Sequence, residues 1–209
     1  LLHCTAGWEG SPAPSDAGST GDDAGSLDAS APAGLPDAIG PAERPARLVT
    51  PSAHDGTTPL PLLVLLHGYS ANGGAQELYL RLSRQTRSQG FYLVIPEGTE
   101  DSRGNQFWNA TPACCNFDGS DVDDVAYLMG LVDEMEALAP IRDVYFFGHS
   151  NGGFMSYRMA CEHADRITAI GSLAGSGFAT EAECGATQPV SGLQIHGDMD
   201  ETIPYVGVT

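Results

Sequence analysis

The 209 residues carry 27 acidic and nine basic side chains for a net charge of −18, and every basic residue is arginine. Nucleic acid and anionic membrane surfaces both repel so acidic a chain, which argues against either as a partner. The length allows one medium domain plus a tail, and no run of 18 apolar residues is present to form a membrane-spanning helix.

The chain opens Leu1-Leu2-His3-Cys4. A cysteine between a leucine-rich stretch and a flexible segment is similar to a bacterial lipidation site, which makes a lipid anchor at Cys4 one expectation. An unmodified cysteine is the other, and His3 stands where such sites have a small residue. From residue 10 to residue 45 the sequence is mostly Gly, Ala, Ser, Pro and Asp. Such a stretch buries too little apolar surface to offset its ordering entropy. Residues 1–45 are therefore expected to be a disordered linker, and residues 46–209 a catalytic domain.

Strands and helices alternate beyond the linker. Residues 62–66 are continuously apolar and read as a strand buried on both faces; 76–87 has a helical pattern and 91–95 reads as the next strand. A helix is expected over 121–137, with acidic residues at its start where the helix dipole favours them. Then follow a strand over 143–147, a helix over 152–163 and strands over 167–173 and 193–196. This order predicts an α/β fold, a mostly parallel sheet with helices on both faces and ligands at the carboxyl ends of its strands.

The most informative segment joins the strand over 143–147 to its helix. It reads Gly148-His149-Ser150-Asn151-Gly152, a G-x-S-x-G nucleophile elbow with an aromatic strand leading in and a helix leading out. Glycines on both sides let strand and helix approach closely around a strained serine, and the helix N-terminus beside it favours developing negative charge. Ser150 is the candidate nucleophile. An acyl-transfer serine needs two backbone N–H donors for the oxyanion. Asn151 follows the nucleophile, and Tyr69 lies on the His67-Gly68-Tyr69-Ser70 loop after the first strand; these are the candidate donors. A tight turn at Gly68 would need no such role. The acid belongs on a later strand-end loop, where Asp198, Asp200 and Glu201 all qualify by chemistry.

Acyl transfer through serine needs no cofactor. The histidines are scattered and no C-x-x-C spacing occurs, which leaves a metal site little support. Cys161 lies near the end of the helix leaving the elbow and Cys184 precedes the last strand, so both belong at the side of the sheet away from the elbow and are expected to form a disulfide. Cys114 and Cys115 belong near the candidate site. A bridge between neighbours would be strained, so one or both are expected to pair with a cysteine beyond Thr209.

Taken together, GHSNGGFMSYRMAC, HGYSANGG, FWNATPACC with DVDDVAYL, and HGDMDETIPY resemble the secreted polyhydroxybutyrate depolymerase and feruloyl esterase family of α/β-hydrolases. The resemblance implies Ser150 as nucleophile, Tyr69 and Asn151 as oxyanion donors, and Asp200 rather than Asp198 as acid. It also implies Trp108 and Asn109 of the FWN motif as residues near the substrate, although a tryptophan is equally a normal core anchor. The implied substrates are extracellular esters: hydroxyalkanoate oligoesters, or feruloyl and acetyl esters of polysaccharides. The location expected is extracellular or at the cell envelope.

In these hydrolases the order is Ser, then acid, then His. No histidine follows Asp200. The expectation is therefore a fold incomplete at its C-terminus, inactive as it stands, whose catalytic histidine lies beyond Thr209. A peptidase or acyltransferase could use the same constellation, and a non-catalytic binding protein on a hydrolase scaffold is the reading from another class.

Overall fold

The computed structural model describes residues 34–207. The expected linker up to residue 33, the lipid anchor at Cys4 and everything past Gly207 lie outside the described residues.

The elements in chain order are β1 (Ala38–Ile39), β2 (Ala46–Val49), β3 (Leu60–Leu66), α1 (Gly73–Leu80), α2 (Leu82–Gln89), β4 (Tyr92–Ile95), β5 (Thr99–Glu100), β6 (Gln106–Phe107), α3 (Asp124–Leu138), β7 (Ile141–His149), α4 (Asn151–Glu162), β8 (Ala169–Leu173), α5 (Glu181–Cys184) and β9 (Ser191–Ile195). Seven strands form one sheet in the order β1-β2-β4-β3-β7-β8-β9. The four pairings from β4 through β3, β7 and β8 to β9 are parallel. β1 and β2 extend the sheet antiparallel beyond β4.

Period-two alternation along β3 divides the apolar side chains between two cores. Leu62, Val64 and Leu66 face a large core with Val125, Leu128 and Met135 of α3 and Phe154, Met155 and Met159 of α4. Leu65, with Leu93 and Ile95 of β4, forms a smaller core on the opposite face, packed by Leu80 and Leu82 at the ends of α1 and α2. Helices thus cover both faces, as the alternation of elements predicts.

Two expectations change. The proposed boundary at residues 45/46 falls inside the sheet: Ala38–Ile39 pairs with Arg47 and Ala46, and Ile39 is buried. Ile39 and Leu35 are large apolar residues in that small-residue stretch, and both pack on the main core. The single helix expected over 76–87 is two helices that break at Arg81, whose φ is 56°. Glu77 makes the break, because its carboxylate accepts the Leu82 and Ser83 N–H groups that begin α2.

Candidate active site

The register of the sheet puts three strand ends together. Leu66 of β3 lies beside Gly148 of β7, which lies beside Ser172 of β8. The next residue after β7 is Ser150, with φ 52° and ψ −119°, a left-handed backbone that side chains rarely adopt. Its N–H donates to the Leu173 carbonyl at 2.8 Å, and its own carbonyl accepts from Phe154 to start α4. The two glycines of the elbow are sterically required. A Cβ on Gly148 would lie 2.0 Å from the Gly152 carbonyl oxygen, and one on Gly152 would lie 2.4 Å from that of Leu66.

The loop after β3 comes against this serine: a Cβ on Gly68 would sit 3.4 Å from the Ser150 Cβ. Ser70 ties the loop to β6 by donating its N–H to Gln106 at 2.8 Å. The Tyr69 hydroxyl donates to Asp101 Oδ2 at 2.6 Å and accepts from the Asn105 side chain, and its ring packs edge-on against Phe117. The hydroxyl's hydrogen bond is the largest cause that brings the Asp101 carboxyl down to about 2. Among the described residues no acceptor takes the Tyr69 backbone N–H. Asn151 is the first residue of α4, where backbone N–H groups have no partner inside the helix. The candidate donors thus follow directly on residues at the elbow, Tyr69 on Gly68 and Asn151 on Ser150 itself.

Trp108 holds these two segments to each other. Its backbone N–H donates to Asn151 Oδ1 at 2.7 Å, its carbonyl accepts from Asn151 Nδ2 at 3.0 Å, and its indole N–H donates to the His67 carbonyl at 3.0 Å. Trp108 and the Asn151 side chain are fully buried. This replaces the substrate contact expected for Trp108: the indole is enclosed by protein and its single donor is used. Asn109 likewise spends its side-chain amide on the Val122 carbonyl and on Asn116. The FWN motif supports the site from behind.

His67 is fully buried and neutral. Its Nε2 accepts the Gly98 N–H at 2.8 Å, so Nδ1 carries the proton and donates to the Gly68 carbonyl. Burial brings its pKa down to about 4. His149 is half-buried, and burial lowers its pKa against the opposing pull of the Asp200 charge.

Asp200 lies on the loop after β9. One carboxylate oxygen accepts from the Thr202 and Ile203 N–H groups, both at 2.9 Å, and these bonds hold its pKa below the ordinary range. The other lies 3.5 Å from His196 Nε2. His196 is spoken for at both nitrogens: Nε2 donates to the Ile203 carbonyl, and Nδ1 accepts from Gln194. It shapes the Asp200 loop. Asp198 is exposed and Asp200 is the acid that the loop encloses.

Cys161 and Cys184 are bonded, with Cα atoms 5.0 Å apart, and join the end of α4 to α5. Cys114 and Cys115 are bonded to each other, which overturns the expectation of a partner beyond Thr209. Cys114 also donates its N–H back to the Thr111 carbonyl at 3.2 Å.

Sequence reasoning missed the supports of the site. Arg44 and Asp124 form an ion pair at 2.7 Å, and Asp124 is fully buried. Burial raises the Asp124 carboxyl, and the Arg44 guanidinium and the Asn109 N–H oppose that shift. An arginine in a Pro-rich stretch and one acid among several carry no sequence signal that they will meet.

The parallel sheet, the sharp strand–serine–helix elbow and the position of the site at the strand ends define an α/β-hydrolase. Residues 53–208 match the phospholipase/carboxylesterase family, and the chain belongs to that family of α/β-hydrolase esterases. It is 30% identical over 151 residues to NocK of Nocardia uniformis subsp. tsuyamanensis, a protein assigned as an esterase; the match takes in 71% of this chain and 42% of NocK. It is 26% identical over 162 residues to feruloyl esterase B of Piromyces equi, covering 75% of this chain and 29% of that protein. The chain thus spans less than half the length of both curated relatives. A thermostable esterase of known structure shares the fold with a TM-score of 0.63 at 16% identity, covering 81% of this chain and 48% of that one.

Proposed function

We propose that the chain carries the nucleophile, acid and oxyanion donors of a serine carboxylic-ester hydrolase. Ser150 attacks the ester carbonyl, the Tyr69 and Asn151 N–H groups stabilise the oxyanion, and Asp200 orients the histidine that shuttles the proton. Water then releases the acid from the acyl-enzyme. No histidine follows Asp200 in the 209 residues, so this reading leaves the base unassigned. The substrates proposed are extracellular: feruloyl or acetyl esters of polysaccharides, or polyhydroxybutyrate-type oligoesters. The name of the Piromyces equi relative favours the feruloyl ester among these.

The observation that carries the reading is the Ser150 backbone, held at φ 52° at a helix N-terminus with Gly68 against its Cβ. Strain of this kind persists only where the surroundings enforce it, and it clusters at functional sites. In protein expressed from the complete gene, a fluorophosphonate probe is expected to label Ser150. The Ser150→Ala variant should lose on the order of a millionfold in turnover of aryl esters without losing its fold. A panel of methyl ferulate, acetylated xylan and hydroxybutyrate oligomers then identifies the ester. Labelling at another residue, or turnover retained by the alanine variant, overturns the assignment, and faster cleavage of anilides than of esters would make it a peptidase.

A further inference from the structure

The candidate donors on either side of Ser150 belong to segments far apart in sequence, and one closed circuit of buried and part-buried bonds links those segments. Arg44, on the turn between β1 and β2, donates Nε to the Glu97 carbonyl at 2.7 Å and places Nη1 2.7 Å from Asp124 Oδ1. Asp124 Oδ2 accepts the Asn109 N–H at 2.6 Å. Trp108, one residue before, grips Asn151 twice through its backbone and His67 through its indole. His67 in turn accepts the N–H of Gly98, next to the Glu97 that Arg44 holds. The Arg44 guanidinium also lies over two rings, 3.9 Å from the centre of Tyr127 and 5.3 Å from that of Trp108, and the Tyr127 hydroxyl returns to the Arg44 carbonyl at 3.0 Å.

Every junction serves one side of the site. His67 leads directly into Gly68 and Tyr69, and Asn151 supplies the other donor. The spacing of two oxyanion donors must match an anion that exists only in the transition state, so a small error in that spacing weakens the transition state more than substrate binding.

We infer that Arg44, acting through Asp124 and Trp108, is a positioning residue that sets the separation of the Tyr69 and Asn151 N–H groups. It touches no substrate. Its guanidinium is suited to the task because one planar group can bond a carbonyl, pair with a carboxylate and stack on two rings together, which a lysine ammonium cannot. The inference rests on the Ser150 reading given above.

The test uses protein from the complete gene, with an aryl ester as substrate. Arg44→Met is expected to lower kcat roughly tenfold to a hundredfold, the scale of a displaced catalytic group, while KM changes less than about threefold. Trp108→Phe keeps the backbone bonds to Asn151 but replaces the indole with a smaller ring that cannot donate to His67, and is expected to show the same split more weakly. A phenylboronic acid, which forms an anionic adduct on the serine, should bind Arg44→Met more weakly in proportion to the loss in kcat/KM. Arg166→Met is the control, because Arg166 pairs with Asp133 and Glu136 on the far surface; it should leave kcat and boronate affinity unchanged. If folded Arg44→Met keeps wild-type kcat, or loses it with no change in boronate affinity, the inference is wrong. Should Arg44→Met not fold, Trp108→Phe decides, and an unchanged kcat there refutes it. Activity surviving in Ser150→Ala would instead refute the underlying reading.

Discussion

At the scale of single residues, the site depends on protonation states set by burial. His67 accepts an N–H at Nε2, which an imidazolium could not do. Its folded pKa of about 4 lies below the ordinary histidine value of 6.5. Between those values the unfolded chain binds a proton that the folded chain refuses, so stability falls as pH drops from 6.5 towards 4 and this contribution levels off below. One pKa unit corresponds to about 1.4 kcal/mol, so His67 alone accounts for about 3 kcal/mol over this range. Urea denaturation at pH 7 and at pH 4.5 measures the difference. His67→Gln, though less stable at neutral pH, is expected to lose much less between the two.

At the scale of elements, the strand–turn–helix around Ser150 leaves no space beside its glycines. Gly148→Ala forces a Cβ to 2.0 Å from a backbone carbonyl, which neither β7 nor α4 can yield without dismantling the elbow. The expected cost exceeds about 4 kcal/mol, at the extreme of single substitutions. Gly130 of α3 supplies the contrast. A Cβ there meets nothing within 4 Å, and the helix interior prefers alanine by up to about 1 kcal/mol. Thermal melts should therefore move in opposite directions for Gly148→Ala and Gly130→Ala. The elbow was legible in sequence because both glycines and the serine are adjacent in the chain. The break at Arg81 was not, because Glu77 supplies its cap from the preceding turn and competes with the helical periodicity there.

At the scale of the whole molecule, among the described residues, β9 forms one edge of the sheet with Leu193 57% and Ile195 46% exposed. Leu193 also borders an apolar cavity of about 400 Å³ with Leu63, Phe91, Tyr145 and Phe147. An exposed apolar edge strand templates pairing with another chain, and the net charge of −18 opposes it. Salt screens that repulsion, since the Debye length falls from about 10 Å at 0.1 M to about 3 Å at 1 M. The 209-residue chain is expected to self-associate more strongly as salt rises, seen by sedimentation velocity. Leu193→Lys should keep it monomeric over that range. Association that weakens with added salt would show that charge pairing, and not the apolar edge, holds the copies together.

The sequence by itself determined the main alternation of strands and helices and the elbow at Ser150, because these rest on periodicity and on residues close together in the chain, and the resemblance of its motifs pointed to the α/β-hydrolase class. It also narrowed the candidate acid to a short loop and marked the loop that carries the candidate donor Tyr69. Only the tertiary structure decided that Trp108 is a buried support, that Cys114 bonds Cys115, and that Ile39 lies inside the sheet. It alone showed that Arg44 and Asp124, 80 residues apart, close a circuit behind the candidate donors. These features rest on burial and on contacts between distant segments. Arginine and aspartate also occur at ordinary surface positions, as at Arg47, Arg103 and Asp118, so only the packed fold tells Arg44 and Asp124 apart from them.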